Sequence, residues 1–184
     1  MSLSKTEPSG FEHNTDKKEM WYVGNWRFHN ILECWFRYFN LHGNVLLVGH
    51  FPKFDIGVKT GISEEFSDIE CIRSCDVQPD SDIVWDITRI PDTTVPTGWD
   101  FVICQSVLEH VIDPAASVRN MGGVLKDGGL MFISTHGPSA EYHPYPIDCF
   151  RFLKDIFTAW ADAYHLTIED ILWTRKDCFV AYRK

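Results

Sequence analysis

Two histidines and an aspartate in the second half of the chain have side chains suited to proton transfer or metal binding. His136 comes three positions after Ile133, the last residue of an apolar run, and His143 and Asp148 come within the next twelve residues. A neutral imidazole has an ordinary pKa of about 6.5 and can accept a proton from a hydroxyl or an amine. We therefore predict that His136 or His143 is a catalytic base. The same three side chains are suitable metal ligands, but we expect no metal site.

A second group of polar residues follows apolar runs that are too short for helices. Such runs predict strands buried on both faces of a parallel sheet. In an open sheet of this kind, ligands bind outside the carboxyl ends of the strands. The residues directly after the predicted strands are therefore candidates for ligand binding: residues 49–54, Asp76, Asp86, residues 105–106 and residues 135–145.

The elements that position these residues follow from hydrophobic periodicity. Apolar positions recur at helical spacing over residues 26–39, after Asn25 as the helix N-cap, and again over 152–164. Asp113 and Pro114 are typical of a helix start, and residues 126–129 predict a turn after that helix. Residues 50–67 predict a loop with at most a short helix. Strands are predicted at 44–49, 69–75, 82–85, 99–104 and 130–134, with a terminal antiparallel pair at 166–173 and 178–182.

Composition limits the class of protein. The 184 residues carry a formal net charge of −9, which disfavours a nucleic-acid scaffold, and 45% are hydrophobic, enough for a buried core. No apolar run approaches the length of a membrane span, so we expect no membrane partner. Residues 1–20 predict a flexible N-terminal arm, and residues 21–184 a single domain. Six scattered cysteines favour a reduced, cytoplasmic protein.

Three segments follow one another in the second half of the chain: WDFVICQSVLEHV at residues 99–111, Asp113-Pro114, and VLKDGGL at residues 124–130. Together they resemble the class I S-adenosylmethionine-dependent methyltransferases. The family has an FD-strand, a VLEHV run, a DP-helix and an LKPGG-strand in the same order and spacing. The resemblance covers roughly residues 44–160 and implies a three-layer α/β sandwich, with a Rossmann-like, mainly parallel sheet and a C-terminal antiparallel hairpin.

The resemblance also implies roles in binding S-adenosylmethionine. Asp76 corresponds to the acidic residue that binds the ribose hydroxyls, and Asp86 with Ile87 to the pair that binds adenine. The first loop departs from the family's acidic-x-Gly-x-Gly pattern, because Phe51 stands where the second glycine is expected and Pro52 follows it. The predicted cofactor-binding residues are Gly49, His50, Asp76, Asp86, Ile87 and Gln105.

A further match over residues 142–152 is similar to a segment near the acceptor pocket in some members. It implies acceptor binding by Tyr142, Tyr145 and Arg151. The alternative is that Asp148 and Arg151 form an ion pair that fixes this loop. Glu109 is expected to be a charge at a helix N-terminus.

The function predicted is methyl transfer from S-adenosylmethionine to an O, N or C nucleophile of a small acceptor. One alternative is an inactive, methyltransferase-like module that binds a protein or a nucleotide-like ligand, which the Phe51-Pro52 pair favours. A dinucleotide-dependent oxidoreductase is disfavoured, because no Gly-x-Gly-x-x-Gly follows the first strand. A short chain rich in aromatic residues is also compatible with a homodimer.

Overall fold

The computed structural model describes residues 28–49, 68–144 and 146–184. Three α-helices and seven β-strands lie in these ranges. The helices are α1 (Phe28–Tyr38), α2 (Pro114–Val124) and α3 (Lys154–Tyr164); the strands are β1 (Gly43–Val48), β2 (Ile69–Asp76), β3 (Ile83–Val84), β4 (Trp99–Gln105), β5 (Leu125–His136), β6 (Thr167–Trp173) and β7 (Asp177–Arg183).

The strands form one sheet in the order β3-β2-β1-β4-β5-β7-β6. The first five strands are parallel, and β7 is antiparallel to both β5 and β6. This arrangement confirms the predicted α/β fold, including the terminal antiparallel pair. The strand order reverses between β1 and β4, which places a crevice at the carboxyl ends of these strands.

Apolar side chains cover both faces of the sheet because successive residues of a strand point to opposite sides. On one face, Trp35 and Phe36 of α1 lie with their ring centroids 5.7 Å from that of Phe132. On the other face, Leu46 and Val48 belong to the cluster that packs against α2 and α3. The result is the predicted sandwich of three layers, with the sheet in the middle.

The helix start at Asp113 is confirmed: its side chain accepts a hydrogen bond from the Ala116 amide at 2.9 Å, and Pro114 occupies the first turn. The predicted turn at residues 126–129 is wrong. These residues lie inside β5 as a bulge, since Leu125 pairs with Trp99 while Leu130 pairs with Phe101. Gly128, at φ 78°, provides the backbone conformation that the bulge requires.

Several predictions fall outside the described residues, namely the arm at 1–20, the Asn25 cap and the loop at 50–67 with Phe51 and Pro52. Among the helices that are described, none has the length and apolar character needed to cross a bilayer.

At the amino ends of the parallel strands, a buried carboxylate fixes the spacing of β1 and β4. Asp100 accepts a hydrogen bond from the Asn44 amide at 2.8 Å and forms an ion pair with Lys126. Gly43, at φ 65°, lies so close that an added Cβ would be 2.4 Å from Asp100 Oδ2. Position 43 therefore requires glycine both for its backbone angle and for the space that the carboxylate occupies.

We expect Gly43→Ala to lower the free energy of unfolding by about 2–4 kcal/mol, the sum of a left-handed backbone and a steric clash. Gly98→Ala is the matched control, because Gly98 also has a positive φ of 85° but open space around its Cα. That variant should lose only about 1–2 kcal/mol. Urea denaturation of both variants measures the difference, and equal losses would contradict the clash.

The stabilisation by Asp100 should disappear in acid. Burial alone would raise the pKa of this carboxyl, but the Asn44 amide and Lys126 outweigh burial and lower the pKa below its ordinary 3.8. A lowered pKa stabilises the folded state above about pH 4, and this contribution is lost as the pH falls through the lower, folded-state value. We expect Asp100→Asn to cost about 1–3 kcal/mol at neutral pH and less near pH 3. Denaturation at both pH values tests this expectation, with exposed Asp127→Asn as the control whose effect on stability should be small.

Candidate active site

A cavity of about 810 Å³ opens at the carboxyl ends of the parallel strands. Its walls come from the segments that follow β1, β2, β3 and β4, together with two residues of the loop before α3. Five of the six predicted cofactor-binding residues line this cavity, and His50 lies outside the described residues. The five are Gly49, Asp76, Asp86, Ile87 and Gln105.

Strand register explains why these residues meet. Val48 of β1 pairs with Cys75 of β2 on one side and with Cys104 of β4 on the other. The residues that follow in each strand therefore emerge at the same level of the sheet. The positions after Val48, Cys75 and Cys104 therefore all border the same crevice.

The backbone turns sharply at two of these strand ends. Gly49 has φ 117°, and its amide donates to Cys75 O at 2.9 Å. Ser106, directly after β4, has φ 51° and donates its amide to Ser134 O at 2.9 Å. A non-glycine residue in this region carries a strain of about 1–3 kcal/mol, and such residues cluster at ligand sites. The two turns leave room for a ligand between β1 and β4.

Each cavity aspartate uses one carboxylate oxygen to hold its own turn. Asp76 Oδ1 accepts the Gln78 amide at 3.0 Å. Asp86 Oδ1 accepts both the amide and the hydroxyl of Thr88, at 3.0 and 2.7 Å. These bonds fix the orientation of both side chains at the cavity wall. The second oxygen of Asp86, Oδ2, also lies 3.5 Å from Arg89 Nε in an exposed ion pair.

Gln105 adds a third acceptor to the cavity. Its Oε1 is buried and has no hydrogen-bond partner among the described residues. A buried acceptor without a donor is costly, so this oxygen is a candidate acceptor for a donor group of a ligand. Two carboxylates and one amide oxygen suit a ligand with hydroxyl and amino donors. S-Adenosylmethionine has such donors on its ribose, its adenine and its amino acid part, so the residues present fit this cofactor.

Three imidazole rings lead away from the cavity. His110 lines the cavity and its ring centroid is 4.8 Å from that of His143, which is 4.4 Å from that of His136. The structure thus brings together the two predicted catalytic histidines beside the cavity. Burial lowers the pKa of His136, and His143 adds to this effect while Glu109 opposes it.

Glu109 is the residue of this region that sequence reasoning placed wrongly. It lies in a 3-10 turn of three residues, Leu108–His110, and its side chain is completely buried. Thr135 Oγ1 donates to its Oε2 at 2.7 Å, and its Oε1 is 3.6 Å from His136 Nδ1. An acidic residue between Leu108 and His110 in an otherwise apolar run was the only sequence signal for this burial.

The loop before α3 is held by an ion pair. Arg151 donates to both oxygens of Asp148 at 2.5 and 2.6 Å, and also to the carbonyls of Ala140, Glu141 and Phe150. These hydrogen bonds hold the pKa of Asp148 well below its usual range. Arg151 is thus the centre of the hydrogen-bond network of this loop. Of the other two predicted acceptor-binding residues, Tyr142 is 74% exposed and Tyr145 lies outside the described residues.

Two solved structures share this fold at low identity. The N-methyltransferase NodS from Bradyrhizobium japonicum WM9, in complex with S-adenosyl-L-homocysteine, superposes with a TM-score of 0.60 at 14% identity, covering 85% of each chain. The magnesium protoporphyrin IX methyltransferase from Synechocystis PCC 6803, also with bound S-adenosyl-L-homocysteine, gives 0.57 at 11% identity, covering 92% of this chain and 94% of that one.

A curated relative matches a shorter segment more closely. The ubiquinone biosynthesis O-methyltransferase of Neisseria meningitidis serogroup C (strain 053442) is 39% identical over 57 residues. The match spans 30% of this chain and 24% of the relative, so it covers about a quarter of the length of that protein.

The family model described as a methyltransferase domain matches residues 30–171, which includes every described strand of the parallel sheet. The cofactor expected from the sequence is the methyl donor of this family, S-adenosylmethionine, and both solved neighbours hold its demethylated product. On the strength of a match that extends over most of its length, the chain belongs to the methyltransferase-domain family.

Proposed function

We propose that this protein transfers a methyl group from S-adenosylmethionine to an O, N or C nucleophile of a small acceptor. The observation that carries the proposal is the convergence of Asp76, Asp86 and Gln105 on one cavity at the strand-order reversal of a methyltransferase sheet. A module without a ligand has no need for a buried Gln105 oxygen that lacks a hydrogen-bond partner within the described part of the chain.

The cavity residues hold and orient the donor. Asp76 receives the ribose hydroxyls, Asp86 the adenine amino group, and Ile87 covers the adenine ring. Gly49 allows the amino acid part to approach the backbone after β1. The sulfonium of the bound cofactor supplies an already activated methyl group, so the protein contributes mainly by aligning donor and acceptor.

The acceptor side lies toward the histidines. His110 belongs to the cavity wall and contacts His143, which lies against His136. An acceptor between the cavity and these rings would face polar groups, and Tyr142 lies on the loop that borders this side. The O-methyltransferase activity in the name of the Neisseria relative supports a hydroxyl as the acceptor group.

Arg151 acts on the loop and not directly on the acceptor. Its guanidinium already donates to one carboxylate and three backbone carbonyls, which leaves little capacity for a ligand. We assign it to the positioning of residues 141–150, the wall next to the predicted acceptor site.

Binding of S-adenosyl-L-homocysteine, measured by isothermal titration calorimetry, tests the cofactor site. We expect Asp76→Asn and Asp86→Asn each to weaken binding about 10- to 100-fold, because a hydrogen bond to a charged acceptor is worth about 1.5–3 kcal/mol. Asparagine keeps an oxygen for the Gln78 or Thr88 hydrogen bond, so the turns should remain folded.

Asp92→Asn is the matched control. Asp92 Oδ1 accepts the amide and hydroxyl of Thr94 at 2.8 and 2.6 Å, the same local arrangement as Asp86 with Thr88, but outside the cavity. This variant should bind the ligand with unchanged affinity. If the folded wild-type protein does not bind at millimolar ligand, the proposed function is wrong and a non-catalytic binding module is favoured.

Replacement of Arg151 distinguishes a positioning role from an acceptor-binding role. Arg151→Lys cannot form the paired hydrogen bonds to Asp148, so we expect a loss of about 1–3 kcal/mol in unfolding free energy. Faster amide hydrogen exchange confined to residues 141–150 should accompany this loss. Unchanged stability and unchanged exchange would contradict the assignment. The exposed Arg175→Lys provides the comparison.

A further inference from the structure

Glu109, His136 and His143 form a compact group beside the cavity, which we call the two-histidine cluster. One ligand atom from each of these three side chains lies within 4.8 Å of the other two. The residues come from three separate segments: the turn after β4, the end of β5 and the loop before α3. The fold therefore brings a carboxylate to two imidazoles that lie 27 and 34 residues further along the chain.

Two atoms in the cluster are buried without a hydrogen-bond partner among the described residues: Glu109 Oε1 and His136 Nδ1. They face each other at 3.6 Å, which is too long for a good hydrogen bond. In a tetrahedral site with bonds of about 2.0–2.2 Å, two donor atoms lie about 3.4 Å apart. The separation therefore suits two ligands of one ion better than it suits a bond between them.

Because Glu109 is buried, the energetic cost of leaving its Oε1 without a hydrogen-bond partner is high. Its side chain is fully enclosed, and Thr135 Oγ1 occupies only Oε2. A buried carboxylate without a counter-charge or enough hydrogen bonds is expensive. A cation at Oε1 would offset this cost, whereas the distance of 3.6 Å to His136 does so incompletely.

The surroundings also orient the three side chains as they would around a metal ion. His143 Nδ1 lies 3.3 Å from the Glu141 carbonyl oxygen and 3.5 Å from Asp148 Oδ2, which leaves Nε2 of that ring for an ion. Carboxylate–histidine and hydroxyl–carboxylate contacts of this kind fix metal ligands in many sites. The Cys149 amide donates to Glu109 O at 2.8 Å, and the Phe152 amide donates to His136 O at 2.9 Å. The loop is thereby tied to two of the three ligand residues.

We propose that Glu109, His136 and His143 bind one divalent transition-metal ion of the zinc type, with the remaining coordination position open. Two imidazoles and a carboxylate are ligands of the zinc class rather than of magnesium or calcium, which prefer oxygen. The ligand set differs from the His136, His143 and Asp148 set considered from sequence, because Asp148 is committed to Arg151. It also replaces the expectation of no metal site. With an ion bound, the two imidazoles act as ligands, so neither is the catalytic base.

The cluster is tested on the full chain after removal of metals with a chelator. Co²⁺ is the first probe, because a four-coordinate Co²⁺ ion with N and O ligands shows intense visible bands without the thiolate charge-transfer bands of cysteine ligation. We expect one equivalent of Co²⁺ to bind, Zn²⁺ to displace it, and the midpoint of thermal unfolding to rise with Zn²⁺.

Two variants locate the ion. Glu109→Gln keeps an oxygen that can accept from Thr135 but removes the charge, and His143→Asn changes a half-exposed residue whose replacement should not disturb the core. Each should weaken Zn²⁺ binding at least tenfold. The control is His165→Asn, an exposed histidine outside the cluster in a left-handed conformation that asparagine tolerates. It should bind Zn²⁺ as the wild type does.

Three outcomes overturn the proposal: no Co²⁺ or Zn²⁺ binding, thiolate charge-transfer bands, or affinity unchanged in His143→Asn. Unchanged affinity in His143→Asn overturns the proposal even if Glu109→Gln does not fold. The cluster and the proposed function fail independently, because S-adenosyl-L-homocysteine binding is measured on the metal-free protein. Absence of metal with intact ligand binding would leave His136 and His143 as the candidate bases.

Discussion

The parallel pairing of β1 with β2 and β4 is the constraint on which the site depends. Because Val48 is in register with both Cys75 and Cys104, three strands end at one level and release Gly49, Asp76 and Gln105 together. Main-chain hydrogen bonds and the burial of most of β1 and β4 fix that level, so the cavity inherits the rigidity of the core. The loops carry further candidate functional side chains, and the sheet fixes where these loops begin.

Much of this frame is predictable because local signals agree with tertiary structure. A buried parallel strand needs an unbroken apolar run, and the residue after it must lie at the edge of the sheet; both are visible in sequence for β1, which Gly49 follows, and for β4, which ends at Gln105. Asp113 followed by Pro114 likewise predicts a helix start from local sequence alone. The bulge in β5 is different, since Gly128 and its neighbours have turn composition, and only pairing with β4 and with the backbone of Lys184 extends the strand through them.

The site beyond the cofactor cavity depends on contacts between distant segments, which sequence patterns do not report. Glu109 reads as a surface charge at a helix start, yet packing of the loop before α3 encloses it beside Thr135 and His136. Arg151 has the composition of an anion-binding residue, but five hydrogen bonds within its own loop use its donors. In both cases the hydrogen-bond partners that the fold provides determine the role of the polar side chain.

His110 belongs to two places at once, because its ring forms part of the cavity wall and also contacts His143 of the two-histidine cluster. Anything that moves this ring on one side alters the environment on the other. Thermodynamic linkage then requires reciprocity: if an occupant of the cluster changes the affinity of the cavity by some factor, a cavity ligand changes the affinity of the cluster by the same factor. The ring of His110 is the contact through which a linkage of this kind would act.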